Sequence, residues 1–250
     1  MSQSSENLTE SYVKNYYDSG LKELTDEYTY SRWFSSPDRI YDYNQTKRAL
    51  LKAFGDDRYQ SVLEIGPGDG VWTKLILDKS GSLVLLDQSV EMLKRAQEAL
   101  KKHSNIEFIN QNFSDYIPNR KFNLVLSVRW FEYIIDKKLA IKKMYDSLES
   151  GGKLVLVTKN SNYKNISGWK KSVLHSEQVS KDKIVSFLKE NGFNSISVYP
   201  AVNRWKVNVF VPRILFDLLH RLSVATNGWL FIPLLTDWST ESYTYVAQKS

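Results

Sequence analysis

The chain has no cysteine among its 250 residues, which excludes thiol nucleophiles, disulfides and cysteine-ligated zinc. Histidine is scarce as well. His103, His175 and His220 stand far apart in the sequence, so a histidine-based metal site is not expected and no metal is assigned. No apolar run reaches the roughly 18 residues needed to span a bilayer. The polar N-terminus lacks the pattern of a secretory leader, and a cytoplasmic protein is the expectation. There is no basic block either, although the net charge is +6 and the isoelectric point is near 9.2. The lysine pairs Lys101–Lys102, Lys137–Lys138, Lys142–Lys143 and Lys170–Lys171 are scattered. That pattern reads as a basic solvated surface, so nucleic acid is not the expected partner. What remains is an ordinary globular composition, 42% hydrophobic and 25% charged, in a length that suits one α/β domain with additions.

One stretch carries most of the chemistry. Val62–Gly70 reads V-L-E-I-G-P-G-D-G and runs directly into the amphipathic segment Val71–Lys79. This predicts a buried strand, a glycine turn and a helix start. Glycine is needed where backbone turns tightly and a ligand lies against it. The dinucleotide fingerprint G-x-G-x-x-G does not fit, because Val71 stands where its third glycine belongs. A phosphate loop is excluded by Val71 and Trp72, where Lys and Ser or Thr are required. Glu64, two positions before the first glycine, suits a cationic ligand group better than a pyrophosphate. A second apolar run, Leu83–Leu86, ends at Asp87, 19 positions after Gly68. That is close to the offset at which a carboxylate meets ribose hydroxyls in a nucleotide-binding βαβ unit. A glycine turn alone can be no more than a tight turn; the addition of Asp87 favours a cofactor site.

These residues resemble class I S-adenosylmethionine-dependent methyltransferases of the small-molecule type. E-I-G-P-G-D-G and L-L-D-Q-S-V-E-M-L-K-R-A are similar to the family's first two motifs. Ile106–Pro118, Phe122–Ile134 and Leu148–Thr158 are similar to its third, fourth and fifth strands with their exits, and the likeness covers roughly residues 44 to 200 with a last strand at Ser242–Gln248. The resemblance implies an α/β, Rossmann-like sheet, mostly parallel with its last strand antiparallel, and helices on both faces. Expected strands are 61–66, 82–87, 105–109, 122–128, 153–159 and 195–199. Expected helices are 44–54, 70–79, 89–102, 136–149 and 180–191, with Gly151–Gly152 at a helix exit.

Three parts are expected along the chain. Residues 1–58 form an N-terminal helical extension or lid, 59–200 and 241–250 the cofactor-binding core, and 201–240 an insertion. Eight of the 15 tyrosines fall in the first 60 residues. The crowd Tyr28, Tyr30, Trp33, Phe34, Tyr41 and Tyr43 is either a lid or a helical layer on the sheet edge. Arg32 and Arg39 are candidates to pair with the methionine carboxylate or an acidic substrate. The insertion carries Trp205, Trp229 and Trp238. It is read foremost as a substrate cap. A membrane-surface contact through 205–238 and extra core are the other readings.

The resemblance also implies roles. Glu64, Gly66, Pro67 and Gly68 would face the methionyl and ribose portions of S-adenosyl-L-methionine, and Asp87 would take the ribose hydroxyls. Gln88, Asn112 and Phe113 would meet the adenine, and Ser127 to Arg129 would lie near the reacting methyl. At the fourth strand's exit the chain reads Ser127-Val128-Arg129-Trp130. The Asn-Pro-Pro-Tyr by which relatives hold amine nitrogens of DNA bases or glutamine is absent. The catalytic base is unknown; weak candidates are His175, Glu132 and Tyr133. The expected function is methyl transfer to a small-molecule acceptor at oxygen, such as a sugar, a lipid-linked intermediate or a secondary metabolite. Two alternatives are an RNA methyltransferase, suggested by the basic charge, and a non-catalytic S-adenosylmethionine-binding module.

Overall fold

A computed structural model describes residues 9–19, 28–163, 178–204 and 239–250, together with Leu218 and Leu222. His175 and almost all of 205–238 lie outside the described residues. The runs read as strands become a seven-stranded sheet of order β3-β2-β1-β4-β5-β7-β6. Its strands are β1 (Tyr59–Ile65), β2 (Ser80–Asp87), β3 (Ile106–Asn110), β4 (Phe122–Val128), β5 (Leu148–Lys159), β6 (Phe193–Asn203) and β7 (Thr240–Lys249). The first five strands run parallel, and β7 is antiparallel to both β5 and β6. β1 and β4 are neighbours paired as Leu63↔Val125 and Ile65↔Ser127. Strand order reverses between them, which is where an open α/β sheet leaves a crevice at its carboxyl ends.

The strands read as continuous apolar runs because both faces are covered. Val62, Leu83, Leu85, Leu124 and Leu126 turn to one face, where Leu50, Phe54, Ala96 and Leu100 pack. Leu63, Val84, Leu86 and Val125 turn to the other, against Ile141, Met144, Ile184 and Leu188. The helices supplying these residues are α3 (Pro37–Phe54) and α4 (Val90–Leu100) on the first face, and α5 (Lys137–Ser147) and α6 (Lys181–Glu190) on the second. Ser36, Ser89, Asp136 and Ser180 cap them by accepting from a backbone N–H three residues on. Two short N-terminal helices, α1 (Glu10–Ser19) and α2 (Tyr28–Trp33), precede them.

The expected α-helix over 70–79 is not formed. Two 3₁₀ turns, Thr73–Leu75 and Leu77–Lys79, replace it. Tertiary packing overrides the local period here. Trp72 is stacked on Tyr43 with centroids 5.2 Å apart and meets Trp33 edge-on at 4.9 Å. The segment follows those aromatic neighbours rather than a straight helix axis. Gly151 and Gly152 also differ from expectation, lying inside a longer β5 rather than at a helix exit. α3 begins at Pro37 instead of 44, because Ser36 and Pro37 supply a cap and a first-turn proline ahead of the periodic run. β6 extends to Asn203 and β7 begins at Thr240, so the link between them is 204–239.

Candidate functional site

The carboxyl ends of β1, β2 and β4 open into one cleft, placed where open α/β sheets bind small molecules. β1 delivers the turn Gly66–Asp69, β2 delivers Asp87 and Gln88, and β4 delivers Val128, Arg129 and Trp130. From the N-terminal helices come Val13, Lys14, Tyr17, Tyr28, Arg32 and Trp33. A smaller second cleft shares Asp87, Gln88, Trp130 and Tyr133 with the first and adds Glu10, Asn112 and Phe113.

The glycine turn is shaped by its neighbours. Gly66 has φ +68°, and a Cβ there would stand 2.4 Å from Cδ1 of Trp130. Gly68 has φ +59°, and a Cβ there would meet nothing within 4 Å; it faces open cleft. Different consequences follow for the same substitution. Gly66→Ala should cost about 2–3 kcal/mol of stability, from left-handed strain plus displacement of the indole. Gly68→Ala should cost about 1–2 kcal/mol from strain alone, with its main effect on ligand affinity. Chemical denaturation of both variants checks the pair; equal losses would show that Trp130 does not brace the turn.

Asp87 stands at the tip of β2 with its Oδ1 accepting from Ser89 N–H at 2.9 Å. Burial pushes its carboxyl up to about 6, against the downward pull of the backbone N–H groups of Ser89, Gly68 and Gln88. Its main-chain oxygen accepts from Gln111 N–H at 3.1 Å and from Asn110 Nδ2 at 3.0 Å. Glu64 is fully buried and lines neither cleft; Thr73 Oγ1 donates to its Oε2 at 2.7 Å. Burial pushes Glu64 up to about 7, opposed by the Thr73 hydrogen bond and helped by the charges of Asp69 and Asp87.

α1 lies across the cleft mouth and is fastened at three points. Asn112 Nδ2 donates to Glu10 Oε2 at 2.6 Å. Tyr17 and Tyr133 share a hydroxyl–hydroxyl bond of 2.9 Å. Ser89 Oγ donates to Asp18 Oδ1 at 2.6 Å, and Glu91 N–H reaches the same oxygen at 3.4 Å. Asp18 thereby joins the N-terminal cap of α4, where a carboxylate is favoured.

The structure sorts the residues expected from the sequence. Gly66, Pro67, Gly68, Asp87, Gln88 and Arg129 line the main cleft, and Asn112 and Phe113 line the smaller one. Glu64 and Ser127 are buried beneath the strand ends and line neither. Of the candidate bases, Tyr133 lines both clefts and Glu132 is buried behind the wall, with Arg129 Nε 3.3 Å from its Oε1. Burial holds the Tyr133 phenol well above its ordinary range. Arg32 reaches the main cleft, whereas Arg39 is exposed and donates through Nη1 to the Arg32 carbonyl at 3.0 Å.

Several wall residues escaped the sequence reading. Asp69 accepts from Thr29 Oγ1 through Oδ2; its place inside G-P-G-D-G was the available signal. Trp130 packs edge-on against Phe113 with centroids 5.4 Å apart and separates the two clefts. Tyr17 gave no signal, since its partner Tyr133 lies 116 residues away.

Residues 62–152 match the family described as a methyltransferase domain. Malonyl-[acyl-carrier protein] O-methyltransferase 1 of Ilyobacter polytropus is 31% identical over 133 residues, which cover 50% of this chain and 50% of that one. The ubiquinone/menaquinone biosynthesis C-methyltransferase UbiE of Escherichia coli O1:K1 is 28% identical over 118 residues, 44% of this chain and 47% of its own. The chain thus spans about half the length of the curated relatives it matches. In three dimensions the N-methyltransferase NodS from Bradyrhizobium japonicum WM9, solved with S-adenosyl-L-homocysteine, superposes with a TM-score of 0.62. It is 14% identical, and the match covers 94% of this chain and 98% of that one, a likeness of fold. The segment that carries the glycine turn and the Asp87 strand tip thus matches a methyltransferase domain, and the sheet order is that of the class I methyltransferase fold.

Proposed function

We propose that the protein transfers the methyl group of S-adenosylmethionine to a small-molecule acceptor, at an oxygen atom. One observation carries this reading: Asp87, the open-faced Gly68 turn and the Arg129–Trp130 exit of β4 surround a single cleft at the sheet's switch point. The residues fit the cofactor. Asp87 is a partly buried carboxylate that lines the cleft and accepts from Ser89 N–H, and two ribose hydroxyls would use its remaining lone pairs. Gly66–Gly68 offer bare backbone on which the methionyl arm would lie. Gln88 and Phe113 would hold the adenine, together with Asn112. The Asn112 carbonyl already accepts from Ser114 N–H at 3.1 Å, so a ring amine would use its second lone pair. Oxygen as the accepting atom is supported by the malonyl-[acyl-carrier protein] O-methyltransferase likeness over half the chain. In this reading 59–200 and 241–250 carry the cofactor, while residues 1–58 and the 201–240 segment complete the acceptor side.

Bound S-adenosylmethionine supplies a methyl group already activated on sulfur. The protein's own residues bind, align and exclude water. Trp33, Trp72, Val128 and Trp130 make the wall apolar where the transfer would occur, which strengthens every electrostatic interaction inside. Calorimetric titration of the purified chain should show saturable binding of both S-adenosylmethionine and S-adenosylhomocysteine. Binding of neither at about 1 mM, where affinity is worth only about 4 kcal/mol, would remove this function. Among the described residues no helix is long and apolar enough to cross a membrane.

A further inference from the structure

Resting on the cofactor reading above, we infer that Glu10 of α1 is a specificity-determining residue, whose carboxylate accepts a hydrogen bond from the 6-amino group of the cofactor's adenine.

The smaller cleft suits a flat base. Leu86, Phe113 and Ile134 give it apolar surface, and among the described residues its carboxylates are Asp87 and Glu10. Asp87 is held at the β2 tip, where its Oδ1 accepts from Ser89 N–H at 2.9 Å, and in the reading above it takes the ribose. Glu10 arrives from a different part of the chain. Thr9 sets the start of α1 by accepting from Tyr12 N–H through Oγ1 at 3.0 Å. Glu10 therefore falls in the first turn, where a carboxylate is favoured. The bonds of Tyr17 to Tyr133 and of Asp18 to Ser89 hold the rest of the helix in place.

Asn112 decides which way the polar groups face. Its Oδ1 accepts from Ser114 N–H at 3.1 Å, an Asx turn, and this leaves Nδ2 to donate to Glu10 Oε2 at 2.6 Å. The amide thus turns its donor to Glu10 and keeps one acceptor lone pair. Among the described residues the Glu10 carboxylate accepts from Asn112 alone, out of about four acceptor sites. A purine 6-amino group brings a pair of N–H donors. One would meet the spare lone pair of Asn112. The other would meet Glu10 in a charge-assisted bond.

Gln88 and Gln111 line the same cleft. A primary amide can turn either its donor or its acceptor to a ligand, so it tells an amino group from an oxo group poorly. A carboxylate only accepts. It holds an amino group and faces an oxo group with no proton between them, which is how a site rejects an analogue. Glu10 precedes the segment 62–152 that matches the methyltransferase domain. Recognition of the base is therefore divided, with Asn112 supplied from beyond β3 and the charge brought by α1. In this way α1 serves the cofactor as well as the acceptor side.

The test uses the full chain and two ligands, S-adenosylhomocysteine and S-inosylhomocysteine, in which an oxo group replaces the amine. Calorimetric titration of wild type should show the adenosyl ligand bound more tightly by about tenfold or more. Glu10→Gln keeps an oxygen for Asn112 and turns an amide N–H to the base. It should weaken the adenosyl ligand and strengthen the inosyl one, so that the ratio of their affinities falls by about fivefold or more. Glu10→Ala should weaken the adenosyl ligand while the inosyl ligand stays within about twofold. A helix that merely covers the cleft would lower both affinities alike in Glu10→Ala and leave their ratio unchanged, and that result would overturn the inference. So would equal binding of the two ligands by wild type, or a smaller fall of the ratio in Glu10→Gln. Each of these outcomes leaves the cofactor reading intact; only absence of S-adenosylmethionine and S-adenosylhomocysteine binding in the wild-type chain removes both.

Discussion

Replacing Glu241 by alanine should lower the stability of the fold by about 3–5 kcal/mol at neutral pH, the usual cost of removing one partner from a buried ion pair. Glu241 sits near the start of β7 and ties four parts of the chain together. Its carboxylate meets Arg129 at the exit of β4, Lys159 at the end of β5 and Arg204 beyond β6. Through Arg204 it also reaches Asp42 of α3. Its main-chain oxygen accepts from Asn160 N–H at 2.9 Å. Removing the side chain takes a shared carboxylate from three cations, leaving Arg129 with Glu132 and Arg204 with Asp42. Burial alone would raise the Glu241 carboxyl, but Arg204, Arg129 and Lys159 outweigh it and hold it far below its ordinary 4.5. The sign of the pH dependence follows. A depressed carboxyl contributes stability above its unfolded value and loses it as pH falls. Wild type and Glu241→Ala should therefore differ fully near pH 7 and draw together as pH drops below about 4.5. Urea titrations across that range check it. A difference under about 1 kcal/mol at pH 7 would mean that the cluster behaves as a solvated surface network.

Replacing Asp87 by alanine should weaken binding of S-adenosylmethionine and S-adenosylhomocysteine by about 1.5–3 kcal/mol, or roughly 10- to 150-fold, through loss of hydrogen bonds to a charged acceptor. The same change should act in the opposite direction on the ligand-free protein. Burial raises Asp87 from 3.8 to about 6. Between those values the folded state keeps a proton that the unfolded state releases, so stability falls as pH rises through the window. Above about 6 the full cost is present, and Asp87→Ala should be more stable than wild type there by about 1–2 kcal/mol, discounted for the solvent that reaches the side chain. Binding by wild type should weaken as pH drops below about 6, because protonation removes the acceptor. Calorimetry at pH 5 and pH 8, set beside thermal unfolding, separates the two effects. Unchanged affinity would take Asp87 out of the site. Lowered ligand-free stability would mean that its carboxylate is structurally required.

The parts of this molecule legible from sequence are those written in local signals. β1 and its glycine turn, and β2 ending at Asp87, follow from apolar runs broken by glycine and a carboxylate. Their placement needs only a few consecutive residues. The 70–79 segment misled because its amphipathic period is helical, while Trp72 answers to Trp33 and Tyr43 nearly 30 to 40 positions earlier. Glu64 and Ser127 illustrate a second limit. Position along a strand fixes which end a residue occupies, but whether its side chain enters the cleft depends on the pleat and on partners such as Thr73. Arg32 and Arg39 illustrate a third. They look equivalent in sequence, yet only one reaches the cleft, because the chain turns from α2 into α3 between them. Asp69, Trp130 and Tyr17 depend on partners from 17 to 116 residues distant, and no short window contains such a pairing.

The N-terminal helices give the pocket a dual origin. Val13, Lys14, Tyr17, Tyr28, Arg32 and Trp33 all precede the segment that matches the methyltransferase family, which begins at residue 62. The floor lies within the matched segment, and the ceiling comes from residues that precede it. A fragment trimmed to 62–152 would keep the turn and Asp87 but stand roofless. Exchanging Val13, Lys14, Tyr17, Tyr28, Arg32 and Trp33 would change what hangs over the cleft while leaving the ground beneath it untouched.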